Sequence, residues 1–328
     1  MLSGETAPRA MPTIRHARPL PVPDTAALRH LPEGPCALRS GLVSWICIEH
    51  GAGAGIGSLN RYDLESRRNE SFALPGRPGF AFPCATAGHF VVGCERSLGI
   101  FDLGSGSWSP FCDGIDDDVD GTIINDGLVY EDNLIFGCKD LEFRTRKAGL
   151  YLWRGRDRRL IRLRNDQVCS NGKAIRKVAG RLELLDIDSP TRQVVACDLD
   201  LDAGMLGAPR VVLDLTADPA VPDGATLTPD GSGLIVSMFL PDAAASGETR
   251  LYDLDSGELL VTWLTAGSPQ NTCPALVPHD GRTALIITTA VENMSDDIRR
   301  RCPDAGRLFV GETDFVVDPA RLLPTFPM

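Results

Sequence analysis

Four short motifs set an oxygen donor beside glycine: LPEGP at 31–35, INDG at 124–127, CSNG at 169–172 and VPDG at 221–224. Each places a carboxylate or carboxamide next to a strand. Taken singly, each reads as an ordinary turn, because Asn-Gly and Asp-Gly are the commonest turn dipeptides. Taken together they carry more if the chain closes into a ring of similar units. The innermost strands of such a ring bring distant residues to one axis. Glu33, Asn171 and Asp223 are separated by 138 and 52 residues. The second gap is about one repeat, which would put Asn171 and Asp223 in neighbouring units. Two carboxylates and one amide oxygen, completed by water, suit a hard cation such as Ca²⁺, Mg²⁺ or Mn²⁺.

Other chemistries find less support. There is no G-x-S-x-G elbow for a serine hydrolase of the α/β type. The five His form no H-E-x-x-H or H-x-H pair, which disfavours a His-rich zinc site. The GAGAGIG stretch at 51–57 fits a dinucleotide loop poorly and leads into a strand, so it reads as a loop. Asp116 to Asp118 with Asp120 lack the spacing and distal Glu of an EF-hand and read as a solvated acidic turn. The ten Cys contain no C-x-x-C pair and read as buried small apolar residues in a reducing compartment.

The elements that must position these donors are strands. Helical periodicity is scarce, and short Val-, Ile-, Leu- and Phe-rich runs recur between Gly, Asp, Asn or Pro. Six segments resemble one another: GSLNRYDLESRR (57–68), SLGIFDLGSGSW (97–108), AGLYLWRGRDRR (148–159), RQVVACDLDLDAG (192–204), TRLYDLDSGELL (249–260) and GRLFVGETDF (306–315). Each is a short strand, an aromatic or apolar residue, and usually Asp with a polar turn. A period of ~40–50 residues with several strands per unit is a propeller signature. The expected fold is therefore all-β, a six-bladed β-propeller. Residues 21–328 are expected to form one domain, with residues 1–20 as a flexible N-terminal arm.

Composition narrows the function classes. The chain has 328 residues, 43% hydrophobic and 23% charged, with a formal charge of −11. An acidic chain with no basic block is a poor partner for nucleic acid or an anionic membrane. No apolar run reaches the ~20 residues of a membrane span. The N-terminus shows no apolar h-region, so a cytoplasmic location is expected.

At these motifs the sequence resembles the senescence-marker-protein/gluconolactonase family, the regucalcin-like lactonases, from about residue 30 to 312. LPEGPCAL resembles the family's opening G-E-x-P-x-W element, and GTIINDGLVYEDNLIFG its N-D-G element with the strand that follows. CSNGKAI is similar to its S-N-G-L element. LLDIDSPTRQVVACDLDLDAG resembles its Y-x-x-D-S…I-x-x-F-D-x-D-x-x-T-G stretch. VPDGATLTPDGSGLIVSM is similar to its P-D-G…G-x-L-W-V element. CPALVPHDGRTALIITTA resembles its C-x-F-G-G…L-Y-V-T element.

The resemblance implies one divalent metal on the channel axis, Ca²⁺ first, with Zn²⁺, Mn²⁺ and Mg²⁺ open. It implies Glu33, Asn171 and Asp223 as ligands and Asn125 as a residue that reaches substrate or water. It implies hydrolysis of a small-molecule lactone. Separately, a monomer or homodimer is expected. On this reading the metal polarises the carbonyl, a water attacks, and Asp223 is the general base. Asn125 and Asn171 would orient carbonyl and water. The resemblance implies further substrate-binding positions at Ile123, Asp140, Glu142 and His50. Here the sequence departs from the pattern. Ile123 stands where the family's aldonolactonases often carry Arg, so Ile123→Arg is expected to raise activity toward hydroxylated lactones. Asp140 and Glu142 flank Leu141, which lies where a carboxylate is expected. His50 lies in an extended segment expected near the channel mouth. These changes point to a less polar or differently shaped lactone. Two alternatives stand beside this reading: a non-catalytic, metal-stabilised binding propeller, and an organophosphate-type esterase on the same scaffold.

Overall fold

A computed structural model describes residues 11–316 and 325–327. The chain is an all-β, propeller-like arrangement with two short α-helices, Ala26–Arg29 and Asp296–Arg301, among the described residues. Four sheets are separate antiparallel meanders. The first runs Pro32–Arg39, Leu42–Cys47, Ser58–Asp63, Asn69–Ala73, and the second Pro78–Pro83, His89–Cys94, Ser97–Asp102, Trp108–Cys112. The third runs Thr122–Tyr130, Asn133–Asp140, Ala148–Arg154, Arg159–Gln167. The fourth holds Ser170–Val178, Arg181–Asp188 and Gln193–Asp200, with two short strands on its outer side. A fifth sheet has eight strands and contains two more first strands, Val221–Leu227 and Asn271–His279, at its two ends.

These first strands contact one another in turn, Pro32–Arg39 touching both Pro78–Pro83 and Asn271–His279. The second strands carry apolar runs at their centres, and Asn133–Asp140 is buried at every residue. Such a strand is covered on both faces by neighbouring sheets, so its sequence does not alternate. Between the second and third sheets the filling is aromatic, with Phe80, Phe136, Tyr151 and Trp153 in one cluster. Four of the repeated segments supply the third strand of a separate sheet, and the other two, in Ser246–Asp253 and Leu308–Glu312, lie third from the two ends of the eight-stranded sheet. Their Asp residues close the following turn: Asp63, Asp102 and Asp253 accept backbone N–H bonds two or three residues on.

Thr13–Pro19 corrects the expected arm. It pairs in parallel with Leu259–Ala266 and antiparallel with Leu308–Glu312, and so joins the two halves of the eight-stranded sheet. Only Ala17 of this strand is buried. An outer strand with one buried residue carries no period-two apolar pattern, which is why the sequence did not reveal it. Residues 1–10 of the arm lie outside the described residues. The acidic segment is also corrected in part: Asp116 is buried and accepts bonds from Tyr151 Oη and Gly149 N.

The four oxygen-bearing motifs are not turns. Each lies inside a first strand, at a break in register: Glu33/Cys36, Ile124/Gly127, Asn171/Ala174 and Pro222/Ala225. A β-bulge adds a residue to one strand and re-aims the side chains at that point. The glycines serve close approach of neighbouring strands. A Cβ on Gly172 would lie 2.6 Å from the Asp223 carbonyl oxygen, and one on Gly224 2.5 Å from Cys273 Sγ. Among the described residues, no helix is long and apolar enough to cross a membrane.

Candidate functional site

The bulges bring four motif residues to one place. Glu33, Asn125, Asn171 and Asp223 line a single cavity of about 490 Å³. They come from four of the six first strands. Asn125 and Asp126 are successive residues yet face different cavities; Asp126 lines a second one, of about 430 Å³, with Lys173.

The two amides are fixed by a chain of hydrogen bonds. Asn125 Nδ2 donates to Asn171 Oδ1 at 2.7 Å and to the Ser170 carbonyl at 2.9 Å. Asn171 Nδ2 donates to Ser189 Oγ at 2.8 Å, whose hydroxyl donates to the Pro222 carbonyl at 2.7 Å. Pro222 precedes Asp223, so the chain crosses from one first strand to the next. Lys173 Nζ supports the Asn171 backbone from below, donating to its carbonyl at 2.8 Å.

The carboxylates are electrostatically crowded. Burial pushes the Glu33 carboxyl well above the usual range, and the Asp126 charge pushes it further. Burial also pushes Asp223 far up, followed by the charges of Glu33, Asp126 and Glu292. Lys139 opposes the rise in both. Burial holds the thiols of Cys169 and Cys273 well above the ordinary cysteine value, so neither is a thiolate near neutrality.

The donor set suits a hard divalent cation. Two repelling carboxylates and one oriented amide oxygen face one space, and a cation there would relieve the repulsion. Among the described residues no three His, Cys, Asp or Glu side chains are grouped to hold a metal by themselves, so any such set here would draw on the amide oxygen of Asn171 or on water as well.

The remaining expected positions divide. Glu142 lines the cavity and pairs with Arg144 at 2.6 Å. Asp140 does not line it. Asp140 is fully buried and accepts backbone N–H bonds from Glu142, Arg144 and Thr145, with Lys147 Nζ at 3.1 Å. These bonds hold its carboxyl down at about 2. Ile123 is 3% exposed and is not a lining residue. An Arg there would bury a cation, so the expected gain from Ile123→Arg is withdrawn. His50 is half-buried and also does not line the cavity, and burial lowers its pKa.

Several lining residues escaped the sequence reading: Lys139, Glu292, Gln270 and the apolar Phe143 and Phe239. Lys139 had a visible signal. It ends the apolar run NLIFGC in a chain with only four Lys.

Antiparallel sheets whose first strands follow one another in a ring, with four oxygen-bearing side chains lining one cavity, define a propeller-like protein. Residues 31–291 match the family model "SMP-30/Gluconolactonase/LRE-like region", and the chain belongs to that family. It is 27% identical over 179 residues to "Putative sugar lactone lactonase YvrE" of Bacillus subtilis (strain 168), covering 54% of this chain. The match spans 57% of that relative's length. The fold is similar to that of a calcium-binding protein, regucalcin, from Agrobacterium tumefaciens str. C58. That likeness has a TM-score of 0.78 at 21% identity, over 97% of this chain and 100% of the other. It is also similar to a gluconolactonase from Xanthomonas campestris. There the TM-score is 0.62 at 14% identity, over 93% and 98% of the two chains.

Proposed function

We propose that this protein is a divalent-cation-dependent hydrolase that opens a small lactone, built on a six-bladed propeller. In that count the eight-stranded sheet is two blades joined through Thr13–Pro19. One observation carries the reading: Glu33, Asn125, Asn171 and Asp223, from four first strands, line one cavity. Membership of a family that contains gluconolactonases supports lactone hydrolysis, and the calcium-binding neighbour supports a divalent cation.

Glu33, Asn171 and Asp223 would hold the cation. Bound there, a divalent cation polarises the lactone carbonyl and stabilises negative charge on its oxygen. Asp223 accepts the proton of the attacking water, help worth about 10²–10⁴-fold for a general base. Asn125, with Nδ2 committed to Asn171 and Ser170, offers Oδ1 to orient water or substrate. Ser189 holds Asn171 so that Oδ1 faces its Asn125 partner. The apolar rim of Leu31, Ile48, Leu141, Phe143 and Phe239 suits a lactone less polar than a free sugar.

The test is a pH-indicator screen of sugar lactones, plain γ- and δ-lactones and paraoxon. The protein is stripped by chelator and refilled with Ca²⁺, Mn²⁺, Mg²⁺ or Zn²⁺. Lactone turnover that vanishes on stripping and returns with metal supports the reading. Metal binding without turnover of any lactone overturns it in favour of a non-catalytic propeller, and turnover of paraoxon alone in favour of an esterase.

A further inference from the structure

We propose that Lys139 is the cation that recognises the substrate, and that the substrate is a lactone carrying a carboxylate group. The substrate class rests on the lactone-hydrolase reading above. Lys139 lines the cavity beside the Asn125–Asn171 pair and is only 5% exposed. Its position is held by backbone geometry: it pairs directly with Ile123 across its own sheet and bridges Cys169 of the next. Its ammonium lies 5.6 Å from the centroid of the Phe143 ring. Among the described residues no carboxylate is paired with it, and its Nζ is not one of the fully buried nitrogens left without a partner, so the ammonium meets the open space of the cavity.

An ammonium that meets a cavity with no carboxylate on it, its stem buried along an aromatic face, keeps its charge available to a ligand. The two carboxylates nearest to it in sequence are engaged elsewhere. Asp140 is taken by three backbone N–H groups and Lys147, and Glu142 by Arg144. Glu33 and Asp223 feel the ammonium's charge from beyond contact and face each other. Glu292 also lines the cavity but is half-exposed, so water solvates it. Lys139 is thus free to pair with an anion that enters the cavity with the ligand. A carboxylate fits, because charge-assisted N–H···O bonds to carboxylate are the strong ones. The apolar side chains around Lys139, Leu141 and Phe143, would cover the lactone ring.

The experiment uses the full, metal-replete chain and two readouts. The first compares kcat/KM for 5-oxotetrahydrofuran-2-carboxylate with that for γ-valerolactone, which has a methyl group in place of the carboxylate. The second measures calorimetric binding of pyroglutamate, the unhydrolysed lactam carrying the same carboxylate, against 2-pyrrolidinone. Wild type is expected to favour the acid in both. Lys139→Met, which keeps the chain length over Phe143, should lower the acid-to-methyl ratio of kcat/KM by about 10–100-fold, mainly through KM for the acid. Lys139→Arg should restore part of the ratio. An unchanged ratio in Lys139→Met, or no preference in wild type, overturns the proposal. If wild type hydrolyses neither lactone, the hydrolase reading fails on its own. In that event pyroglutamate binding that is lost in Lys139→Met still supports an anion site at Lys139, and failure of wild type to bind pyroglutamate overturns it.

Discussion

Asn125 donates from Nδ2 to Oδ1 of Asn171 at 2.7 Å, across the gap between two adjacent first strands. The bond orients the oxygen that completes the donor set with Glu33 and Asp223. Partners of this kind typically change metal affinity or activity 10–100-fold when removed, roughly. Asn125→Ala is therefore expected to weaken divalent-cation binding by about 10-fold or more and to lower kcat/KM. Calorimetric titration of chelator-treated protein checks it. Unchanged affinity would show that the Asn171 oxygen needs no such support.

Asp223 has two expected duties, ligand and base. Asp223→Ala should abolish turnover and weaken cation binding together, since about 10²–10⁴-fold rests on the base alone. A fully active, metal-replete Asp223→Ala protein would remove Asp223 from the mechanism.

Metal-free protein should become less stable as pH rises. Burial and mutual repulsion raise the Glu33 and Asp223 carboxyls in the folded state. Unfolding returns them to the ordinary value of about 4. Above that value the folded state holds more protons than the unfolded one, so stability falls with pH until the raised folded-state values are passed. Melting of chelator-treated protein between about pH 5 and 8 should show a falling Tm, and Glu33→Gln should flatten the slope. Divalent cation should raise Tm most at the upper end, because it binds the ionised carboxylates. A Tm that climbs with pH in the metal-free protein would contradict the repulsion.

Asp140 is expected to act through stability rather than substrate. Its carboxyl is held at about 2, below the ordinary 3.8. The contribution is therefore present above the ordinary value and lost as pH falls toward the folded-state one. Asp140→Asn leaves buried N–H donors poorly satisfied, a cost of about 1–3 kcal/mol. Denaturant melts near neutral pH should show this loss, with KM little changed in the surviving folded protein. A large KM effect at unchanged stability would return Asp140 to the substrate.

Gly224→Ala tests the close approach of neighbouring first strands. The new Cβ would meet Cys273 Sγ at 2.5 Å, and overpacking of this kind costs about 1–3 kcal/mol. Because Gly224 adjoins Asp223, cation affinity should fall along with stability. Wild-type affinity in a destabilised protein would separate the glycine's packing role from the site.

The sequence by itself determined what is local or repeated. Strand-length apolar runs, the recurring Asp turn and the six similar segments define an all-β, repeat-built chain. The Glu33, Asn125, Asn171 and Asp223 motifs could be singled out only jointly, because a repeat-built ring would bring their oxygen donors together, while each alone reads as a turn. Tertiary structure alone decided the rest, because burial and pairing are properties of neighbours. The same strand pair carries Ile123 and Lys139 directly opposite each other, yet only Lys139 lines the cavity. Asp140 and Glu142 are two residues apart, and one is tied down by backbone amides while the other reaches the cavity. Thr13–Pro19 has no pattern of its own and becomes a strand only because the edges of Leu259–Ala266 and Leu308–Glu312 offer it unpaired backbone groups. Convergence on an axis joins residues more than a hundred positions apart, and no window along the chain contains it.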